Sequence, residues 1–248
     1  ERGEAEPDAA KRAAWLSVAS GGGGPTGVEL AGTLAEIARH TLKNEFRHIN
    51  PADAKVRLVE AGPRVLSSFP EVLSLKARRQ LEKLGVEVLT GTAVNHIDGQ
   101  GFQLGDTHVP ARTVVWAAGV AASPLARTLE VPLDRAGRIQ VEPDLTVPGH
   151  PEIFAGGDLV SLMQANGRPV PGVAPAAKQM GSYVAQVIRA RLAGKPAPPP
   201  FRYNDQGNLA TIGRMAAIVH VGKLQLSGLL AWWFWLAAHV FFLIGFRN

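Results

Sequence analysis

The sequence predicts an α/β fold with a Rossmann-like parallel sheet, followed by an apolar C-terminal helix. Three observations predict it. A glycine-rich turn at Gly21–Glu29 precedes apolar residues at helical spacing, a β-branched run at Val56–Val59 ends on Glu60, and the segment Leu229–Phe246 is rich in aromatic residues and contains no Asp, Glu, Lys or Arg. A strand, a helix and a second strand in this order are typical of a parallel βαβ unit.

The glycine-rich turn contains the pattern G-x-G-x-x-G at Gly22, Gly24 and Gly27. Proteins use this pattern to bring backbone N–H groups at a helix N-terminus against the pyrophosphate of a dinucleotide. The preceding run, Leu16–Ser20, is polar for a buried parallel strand. A flexible linker is the alternative, but a linker needs neither a helix nor an acidic strand end behind it. The predicted helix carries an apolar stripe: Val28, Ala31, Leu34, Ala35 and Ala38.

Glu60 closes the second predicted strand. An acidic residue there accepts hydrogen bonds from the adenosine ribose and repels a 2′-phosphate, so it favours NAD(H) over NADP(H). Arg64, four residues later, is the competing signal. The gap from Gly27 to Glu60 exceeds the roughly 20 residues usual for this motif, so Arg39–Lys55 is predicted to be a helix extension and a surface loop.

Composition excludes several kinds of chemistry. The 248 residues suffice for one large or two small domains, and 46% of them are hydrophobic while 19% are charged. The absence of cysteine excludes disulfides, thiolate metal sites and thiol catalysis, so electron transfer requires a bound cofactor. The seven histidines show no ligand-like spacing with a carboxylate, and we expect no metal site.

The net charge of +5 is concentrated near the C-terminus, where residues 161–248 hold nine basic residues and one acid, Asp205. Basic residues beside an apolar, tryptophan-rich segment indicate attraction to anionic lipid. Nucleic acid is disfavoured as a partner because no binding helix, finger or RNA-binding motif is present. Glu1–Arg12 is charged, lacks the apolar core of a signal peptide and does not begin with Met, so a fragment is expected.

Further elements follow along the chain. A helix with a cap-like Ser74 at its start is predicted to run to Leu84, and Thr113–Gly119 reads as a buried strand ending in small residues. Between them we predict one parallel strand and an antiparallel meander added to the sheet: Val86–Leu89, Val94–Ile97, Gly101–Leu104 and Thr107–Val109.

The second half alternates strands and one long helix. Leu133–Val141 reads as a hairpin, and Pro151–Asp158 as an apolar strand ending in Gly-Gly-Asp. Ligands bind at the carboxyl ends of strands in open α/β sheets, which makes Asp158 a candidate for contacting a sugar-like hydroxyl or a phosphate-bridging water. Capping of the next turn is its alternative role. A helix is predicted from Ala174 to about Leu192, followed by the proline-rich linker Gly194–Pro200.

Together these motifs resemble type II NADH dehydrogenases, the single-subunit flavin NADH:quinone oxidoreductases. The resemblance rests on Gly22–Gly32 (GGGPTGVELAG), Trp116–Val120 (WAAGV), Ile153–Asp158 (IFAGGD) and the apolar, aromatic-rich segment Ser227–Phe246. It implies a Rossmann-like NADH-binding domain inserted in an FAD-binding domain of the two-dinucleotide-binding flavoprotein type, which is incomplete here, and a C-terminal membrane-associating helix. The implied domains are a linker at 1–14, the NADH-binding domain at 15–111, the second part of the FAD-binding domain at 112–195 and a membrane-anchoring region at 196–248.

The resemblance also implies roles for individual residues. The catalytic residues would be Glu29, near nicotinamide and flavin, and Gln179, in the quinone-side motif. The residues implied to contact NADH are Gly22, Gly24, Pro25, Thr26, Gly27, Glu60 and Gly119. Those implied to contact FAD are Gly157, Asp158, Ala176 and Ala177. Pro175 and Lys178 depart from the family's quinone-side motif, and the family's first FAD-binding unit is not in this sequence.

The implied activity is non-proton-pumping transfer of a hydride from NADH to FAD and then of two electrons to a membrane quinone. A peripheral location on the cytoplasmic face of a bacterial inner membrane is expected, and a homodimer is left open. The alternatives are a soluble NADH-dependent flavoprotein reductase with a protein acceptor and a non-catalytic, membrane-associated NADH-binding remnant.

The apolar segment Leu229–Phe246 admits three readings. Its 18 residues would cover about 27 Å as a helix, close to the roughly 30 Å hydrocarbon core. Trp232, Trp233 and Trp235 favour the lipid–water interface, and His239 raises the free-energy cost of spanning. We therefore predict an interfacial anchor; a spanning helix and the buried core helix of an oligomer are the alternatives.

Overall fold

The chain divides into two compact units. The computed structural model describes residues 1–244. The first unit comprises Glu1–Gly119 together with the segment from Gly207 onward, and the second comprises Val120–Gln206. Each unit has hydrophobic clusters of its own. The division therefore falls after Gly119 instead of near residue 111, and the C-terminal segment packs with the first unit.

A four-stranded parallel sheet forms the centre of the first unit. Its order is β3-β2-β1-β7, which confirms the predicted βαβ unit. The strands up to this point of the chain are β1 (Ser17–Gly21), β2 (Lys55–Glu60), β3 (Val86–Thr90), β4 (Val94–Ile97), β5 (Gly101–Leu104), β6 (Thr107–Pro110) and β7 (Thr113–Trp116). The helices are α1 (Arg2–Ala5), α2 (Ala9–Trp15), α3 (Pro25–Glu36) and α4 (Glu71–Lys83).

The two faces of this sheet are covered by different layers. Successive side chains of a strand point to opposite faces. Leu58 therefore packs against α3 and α4, while its neighbour Val59 packs against Phe102 of β5. The meander β4-β5-β6 is thus a separate antiparallel sheet stacked on the parallel one, and not an extension of it as predicted.

Three local predictions differ from the structure. Residues 1–14, predicted to be a linker, form α1 and most of α2. The Asp8 carboxylate caps α2, and the Glu4 carboxylate anchors α1 by accepting from the backbone amides of Arg47, His48 and Ile49. Helix α4 begins before Ser74, whose buried hydroxyl donates to the Val65 carbonyl instead of capping the helix. Strand β7 lies at the sheet edge, which leaves Trp116 57% exposed.

The long connection between α3 and β2 is as predicted. The helix continues as a π-helical turn at Ile37–Thr41, and a loop with a 3-10 turn at Pro51–Asp53 then leads to β2. The π-helical turn and this loop account for the unusually large spacing between Gly27 and Glu60.

The second unit contains two two-stranded sheets and α5 (Ala174–Leu192), a helix that the sequence predicts. Its strands are β8 (Ile139–Gln140), β9 (Thr146–Val147), β10 (His150–Phe154) and β11 (Val160–Ser161). The predicted hairpin is seen as an antiparallel bridge between Leu133 and Ile139. Because β10 pairs antiparallel with β9, Asp158 does not end a strand of an open parallel sheet; it lies in a 3-10 turn, Gly157–Leu159.

The C-terminal segment folds as a sheet and a helix against the first unit. The antiparallel strands β12 (Asn208–Gly213), β13 (Ala216–Val221) and β14 (Leu224–Gly228) precede α6 (Leu229–Ile244). Strand β12 packs so closely on α3 that a Cβ on Gly32 would overlap the carbonyl oxygen of Ile212. None of the helices within residues 1–244 combines the length and the apolar composition needed to cross a bilayer. The last residues of the predicted anchor, 245 and 246, lie outside the described part.

Candidate functional site

The three glycines of the turn between β1 and α3 serve different steric purposes. Gly22 has a φ of 110°, and a Cβ there would lie 2.5 Å from the carbonyl oxygen of Ala117. A Cβ on Gly27 would overlap the carbonyl oxygen of Gly22, so this glycine allows close packing of the helix on the turn. Gly24 has no protein atom within 4 Å of the corresponding position. Two glycines are therefore required by the fold, and the third opens the turn towards a ligand.

The start of α3 is arranged for an anion. Gly24 is the N-cap residue and supplies no side chain to the first turn, and Pro25 follows in the first turn, where its missing N–H costs nothing. The first-turn N–H groups of a helix have no acceptors within the helix and carry its partial positive charge. Pro25 and Thr26 are exposed, so this helix end is accessible to a phosphate group.

Glu60, at the end of β2, lies beside the same turn. Its Oε2 accepts a hydrogen bond from the Gly23 amide at 2.5 Å, and its Oε1 accepts one from the Gly62 amide at 2.6 Å. Each carboxylate oxygen has two lone pairs and so keeps the capacity to accept from a ribose hydroxyl. Glu60 therefore both shapes the turn and offers negative charge there.

Arg64, the competing signal for a 2′-phosphate, is engaged elsewhere. Its two terminal guanidinium nitrogens donate to the carbonyl oxygens of Phe69 and Ser67, each at 2.8 Å. These two contacts hold the guanidinium against the loop that follows Glu60 and use one N–H of each terminal nitrogen. The contacts of Glu60 and Arg64 thus agree with a preference for NAD(H).

Glu29 is on α3, on the side that meets the C-terminal sheet. Its Oε1 accepts a hydrogen bond from the Thr211 amide of β12 at 3.0 Å. Burial raises the pKa of the Glu29 carboxyl, although the Thr211 amide and the charge of His239 on α6 act in the opposite direction. The fold therefore joins residues 182 positions apart around one partly buried acid.

Gly119 ends the first unit two residues after Ala117, whose amide donates to the Gly21 carbonyl. It has a φ of 118°, and no atom lies within 4 Å of a Cβ built on it. The chain after β7 therefore passes beside the glycine-rich turn. The NADH residues predicted from the sequence thus come from neighbouring positions at the carboxyl ends of β1, β2 and β7.

In the second unit, Gly157 packs on α5. Its amide approaches the Met180 sulfur at 3.2 Å, and a Cβ on it would make an ordinary van der Waals contact with Ala177 at 3.5 Å. Asp158 is exposed, and its Oδ1 would be 3.2 Å from a Cβ on Gly172. The Asp158 carboxylate therefore projects from a turn held against the helix, and Gly156, not Asp158, is the N-cap of that turn.

The first turn of α5 is partly satisfied by the chain itself. The amides of Ala176 and Ala177 both donate to the Val173 carbonyl, at 2.9 and 3.2 Å. Ala176 is buried and Ala177 is half-buried. Ala177 can line a binding surface through its small side chain, whereas Ala176 packs in the core of the unit. The N–H groups of both residues are already hydrogen bonded.

Gln179 is held by the backbone of Asn204. Its side-chain nitrogen donates to the Asn204 carbonyl and its side-chain oxygen accepts from the Asn204 amide, both at 2.9 Å. The pair fixes the segment that follows the proline-rich linker. The sequence alone indicated a quinone-side role and gave no sign of this partner.

Gly23 is a residue of the turn that was not among the predicted site residues. Its amide donates to Glu60, its carbonyl accepts from the Leu66 amide at 2.7 Å, and a Cβ on it would lie 2.9 Å from Glu60. The run of four consecutive glycines was the available signal. Among residues 1–244, no three His, Asp or Glu side chains group as metal ligands.

Comparisons with known proteins identify the family of the chain. A model of the pyridine nucleotide-disulphide oxidoreductase family matches residues 6–181. The whole chain is 44% identical to the type II NADH:quinone oxidoreductase Ndh of Mycobacterium tuberculosis and covers 55% of it. Over 92% of its length it is 34% identical to the internal alternative NAD(P)H-ubiquinone oxidoreductase A1, mitochondrial, of Arabidopsis thaliana and covers 48% of it. The chain thus spans about half the length of the curated relatives it matches.

A solved structure shows the same fold. The structure of NDH2 from Plasmodium falciparum in complex with NADH matches 95% of this chain with a TM-score of 0.85 and 19% identity, and the match covers 64% of that chain. The resemblance drawn from the motifs and the α/β fold class are confirmed. The chain therefore belongs to the pyridine nucleotide-disulphide oxidoreductase family, and its relatives there include type II NADH:quinone oxidoreductases.

Proposed function

We propose that this chain forms the NADH-binding part and a portion of the flavin-binding part of a non-proton-pumping NADH:quinone oxidoreductase. The observation that carries the proposal is the open position at Gly24, in a turn whose other motif glycines are needed by the fold. A backbone approach of that kind serves a pyrophosphate at a helix N-terminus. Glu60, hydrogen bonded beside the turn, supplies the acceptor for the adenosine ribose.

Bound FAD would supply the redox chemistry that links the oxidation of NADH to the reduction of quinone. The chain has no cysteine, so thiol chemistry cannot replace it. In the second unit the exposed Asp158 carboxylate is suited to accept hydrogen bonds from ribityl or ribose hydroxyls. The small side chains of Gly157, Ala176 and Ala177 leave room for a flat ring system. These residues fit a flavin, as one part of its site.

The two candidate catalytic residues would act in different ways. The Gln179 amide holds the chain at Asn204 and so shapes the surface on which a quinone would lie. The Glu29 carboxyl, whose pKa is raised by burial, retains a proton to higher pH than an exposed glutamate. It is therefore suited to hold a proton near the nicotinamide and flavin, where the family resemblance places it.

Helix α6 supports association with a lipid surface. One side of it packs on β13 and β14 through Ala231 and partly buried neighbours. On the other side, Leu230 is 71% and Trp233 57% exposed. Large exposed apolar side chains, basic residues such as Lys223 nearby in sequence and tryptophans favour the interface of an anionic bilayer. These features support a peripheral position on a bilayer, and we propose that this bilayer is a bacterial inner membrane with the protein on its cytoplasmic face, where NADH would reach it.

The exposed surface of α6 is also compatible with packing against a second copy in a homodimer. A soluble reductase with a protein acceptor would have little use for exposed tryptophans, which disfavours that alternative. A non-catalytic NADH-binding remnant would bind NADH and show no quinone reduction. Measuring NADH-dependent reduction of a short-chain quinone, with FAD supplied, separates the remnant from the enzyme.

The central test is a direct titration of the chain with NADH. Gly24→Val should weaken binding by at least about tenfold, because its side chain would occupy the space expected for the pyrophosphate. Gly99→Val is the matched control, since Gly99 is also open but lies in the meander. Both variants should keep the melting temperature of the parent chain. An unaltered chain that does not bind NADH, or equal affinity in the two variants, would contradict the proposal.

The lipid proposal is tested with vesicles containing phosphatidylglycerol. Leu230→Ser combined with Trp233→Ser should release the protein from the vesicles in a flotation assay. Leu192→Ser is the control, because Leu192 is 85% exposed but lies on α5. Equal retention of all variants would remove α6 from the lipid contact.

A further inference from the structure

The loop Ala61–Pro70, which connects β2 to α4, is packed into the core of the first unit. Val65, Leu66 and Phe69 are at most 2% exposed and belong to the same hydrophobic cluster as α3 and α4. The loop also contacts the sheet, because the Gly91 amide donates to the Gly62 carbonyl at 2.8 Å. A loop with three buried side chains has a defined conformation, and its contacts can transmit that conformation to neighbouring groups.

Leu66 has an unusual backbone conformation. Its φ is 48°, in the left-handed region that a leucine rarely adopts. Strain of this kind persists only where the surroundings impose it, and it often marks a functional position. Here the conformation accompanies a hydrogen bond from the Leu66 amide to the Gly23 carbonyl at 2.7 Å. The Gly23 residue is thereby held on both sides, since its amide is bound by Glu60.

Arg64 bridges this loop. One of its terminal nitrogens donates to the Phe69 carbonyl and the other to the Ser67 carbonyl. The guanidinium, which precedes Leu66 in the chain, is thus joined to two carbonyls that follow Leu66. The Phe69 amide in turn donates to the Leu66 carbonyl at 2.9 Å. Two parallel donors on a rigid fork are a property of arginine that lysine does not share.

We propose that Arg64 is a positioning residue for the dinucleotide site: it holds the Leu66 turn, which fixes Gly23 and with it the glycine-rich turn. This inference rests on the proposed NADH site and adds a residue to it. Its place after Glu60 suggests a different role, in which Arg64 binds the 2′-phosphate of NADP(H) and so distinguishes it from NAD(H). As a positioning residue, Arg64 supports the binding of both cofactors.

The test measures the dissociation constants of NADH and NADPH for Arg64→Met, which keeps most of the aliphatic stem, and for Arg64→Lys. Loss of the guanidinium should weaken both cofactors by the same factor, about tenfold, and leave their ratio unchanged. Arg64→Lys should recover only part of the affinity, because one ammonium group cannot reproduce the two-carbonyl geometry. In the flavin-loaded enzyme, KM for NADH should rise while kcat stays near that of the parent.

Arg78→Met is the matched control. Arg78 lies on α4, and its Nε donates to the Glu82 carboxylate at the surface, at 2.8 Å. A selective loss of NADPH affinity in Arg64→Met would identify a 2′-phosphate ligand and overturn the proposal, as would unchanged affinity for both cofactors. If the parent chain binds neither cofactor, the proposed NADH site itself fails. If Arg64→Met does not fold, Arg64→Gln, which keeps an N–H donor but removes the charge, decides through the NADH to NADPH ratio.

Discussion

Two glycine-containing turns of this chain carry predicted cofactor contacts, and they are built in different ways. In the first unit, a Cβ at Gly22 or Gly27 of the turn between β1 and α3 would overlap backbone atoms, whereas a Cβ at Gly24 would lie in open space. In the second unit, a Cβ built on Gly156 would lie 3.4 Å from Met180 and one built on Gly157 would lie 3.5 Å from Ala177, both ordinary van der Waals distances.

The carboxylates beside the two turns differ in the same way. Glu60 is half-buried and held by two backbone amides, whereas Asp158 is exposed. A turn that is packed and hydrogen bonded within one βαβ unit forms a defined site by itself. The turn of the second unit has fewer contacts of its own, in agreement with our proposal that it forms only one wall of a site. Similar Gly-rich motifs can thus be held by very different numbers of contacts within the chain.

The largest expected effect is on the free energy of unfolding when one glycine of each turn is replaced by alanine. Gly27→Ala should destabilise the first unit by about 3 kcal/mol or more, because its Cβ would overlap the Gly22 carbonyl and the turn cannot give way. Gly157→Ala should cost about 1 kcal/mol, the strain of a φ of 69° with no overlap. Denaturant unfolding of both variants measures the difference, and equal costs would show that the second turn is packed as tightly as the first.

The next effect compares the two carboxylates. Glu60→Gln replaces one oxygen by an NH2 group, so either the Gly23 or the Gly62 amide loses its acceptor, at a cost of about 1–3 kcal/mol. Asp158→Asn should change the free energy of unfolding by less than about 0.5 kcal/mol because the side chain is exposed. Thermal unfolding in the absence of cofactor isolates these structural contributions. A larger loss for Asp158→Asn would reveal a structural role for that carboxylate.

The smallest effect concerns Glu29. Burial raises the pKa of its carboxyl, so the folded chain holds this proton more tightly than the unfolded chain. The contribution of the Glu29 carboxyl to stability is therefore complete below its ordinary pKa of 4.5 and is lost as pH rises through the raised pKa of the folded chain. Glu29→Gln, which keeps an acceptor for the Thr211 amide, should raise the melting temperature by about 1–3 °C at pH 7 and by less near pH 4.

A control for that experiment is Glu45→Gln, at an exposed glutamate of the same unit. It should show no comparable dependence on pH. If Glu29→Gln lowers the melting temperature at pH 7, the ionised carboxylate stabilises the fold, and its proposed role in holding a proton must be abandoned.

The parts of the fold that were predicted correctly are those encoded by patterns between residues close together in the sequence. The order of β1, α3 and β2, the helix α5 and the meander strands follow from hydrophobic periodicity and from glycine at the turns. The sheet β12-β13-β14 was missed although its alternating residues and the two-residue turn at Gly222–Lys223 are typical of a hairpin. Its place in the first unit depends on the packing of β12 against α3, which no local pattern reveals.

The candidate site likewise has features that the sequence predicts and contacts that it does not. The residue types at Gly22, Gly24, Gly27 and Glu60 identify the binding motif because each has a steric or electrostatic requirement that few other residues meet. Their sequence positions do not show that Glu60 is hydrogen bonded to Gly23. They also do not show that Arg64 faces two carbonyls, since the direction of a long side chain depends on partners brought together by folding.

The sequence by itself determined the βαβ unit, the dinucleotide motif, the absence of thiol chemistry and the relationship to type II NADH:quinone oxidoreductases, because these depend on residue identity and close spacing. Only the tertiary structure decided where the units divide, which motif glycine is open to a ligand, and how Glu29, Gln179 and Arg64 are engaged. Those outcomes depend on contacts between distant segments, such as Glu29 with Thr211, that form when burial of apolar surface brings the segments together.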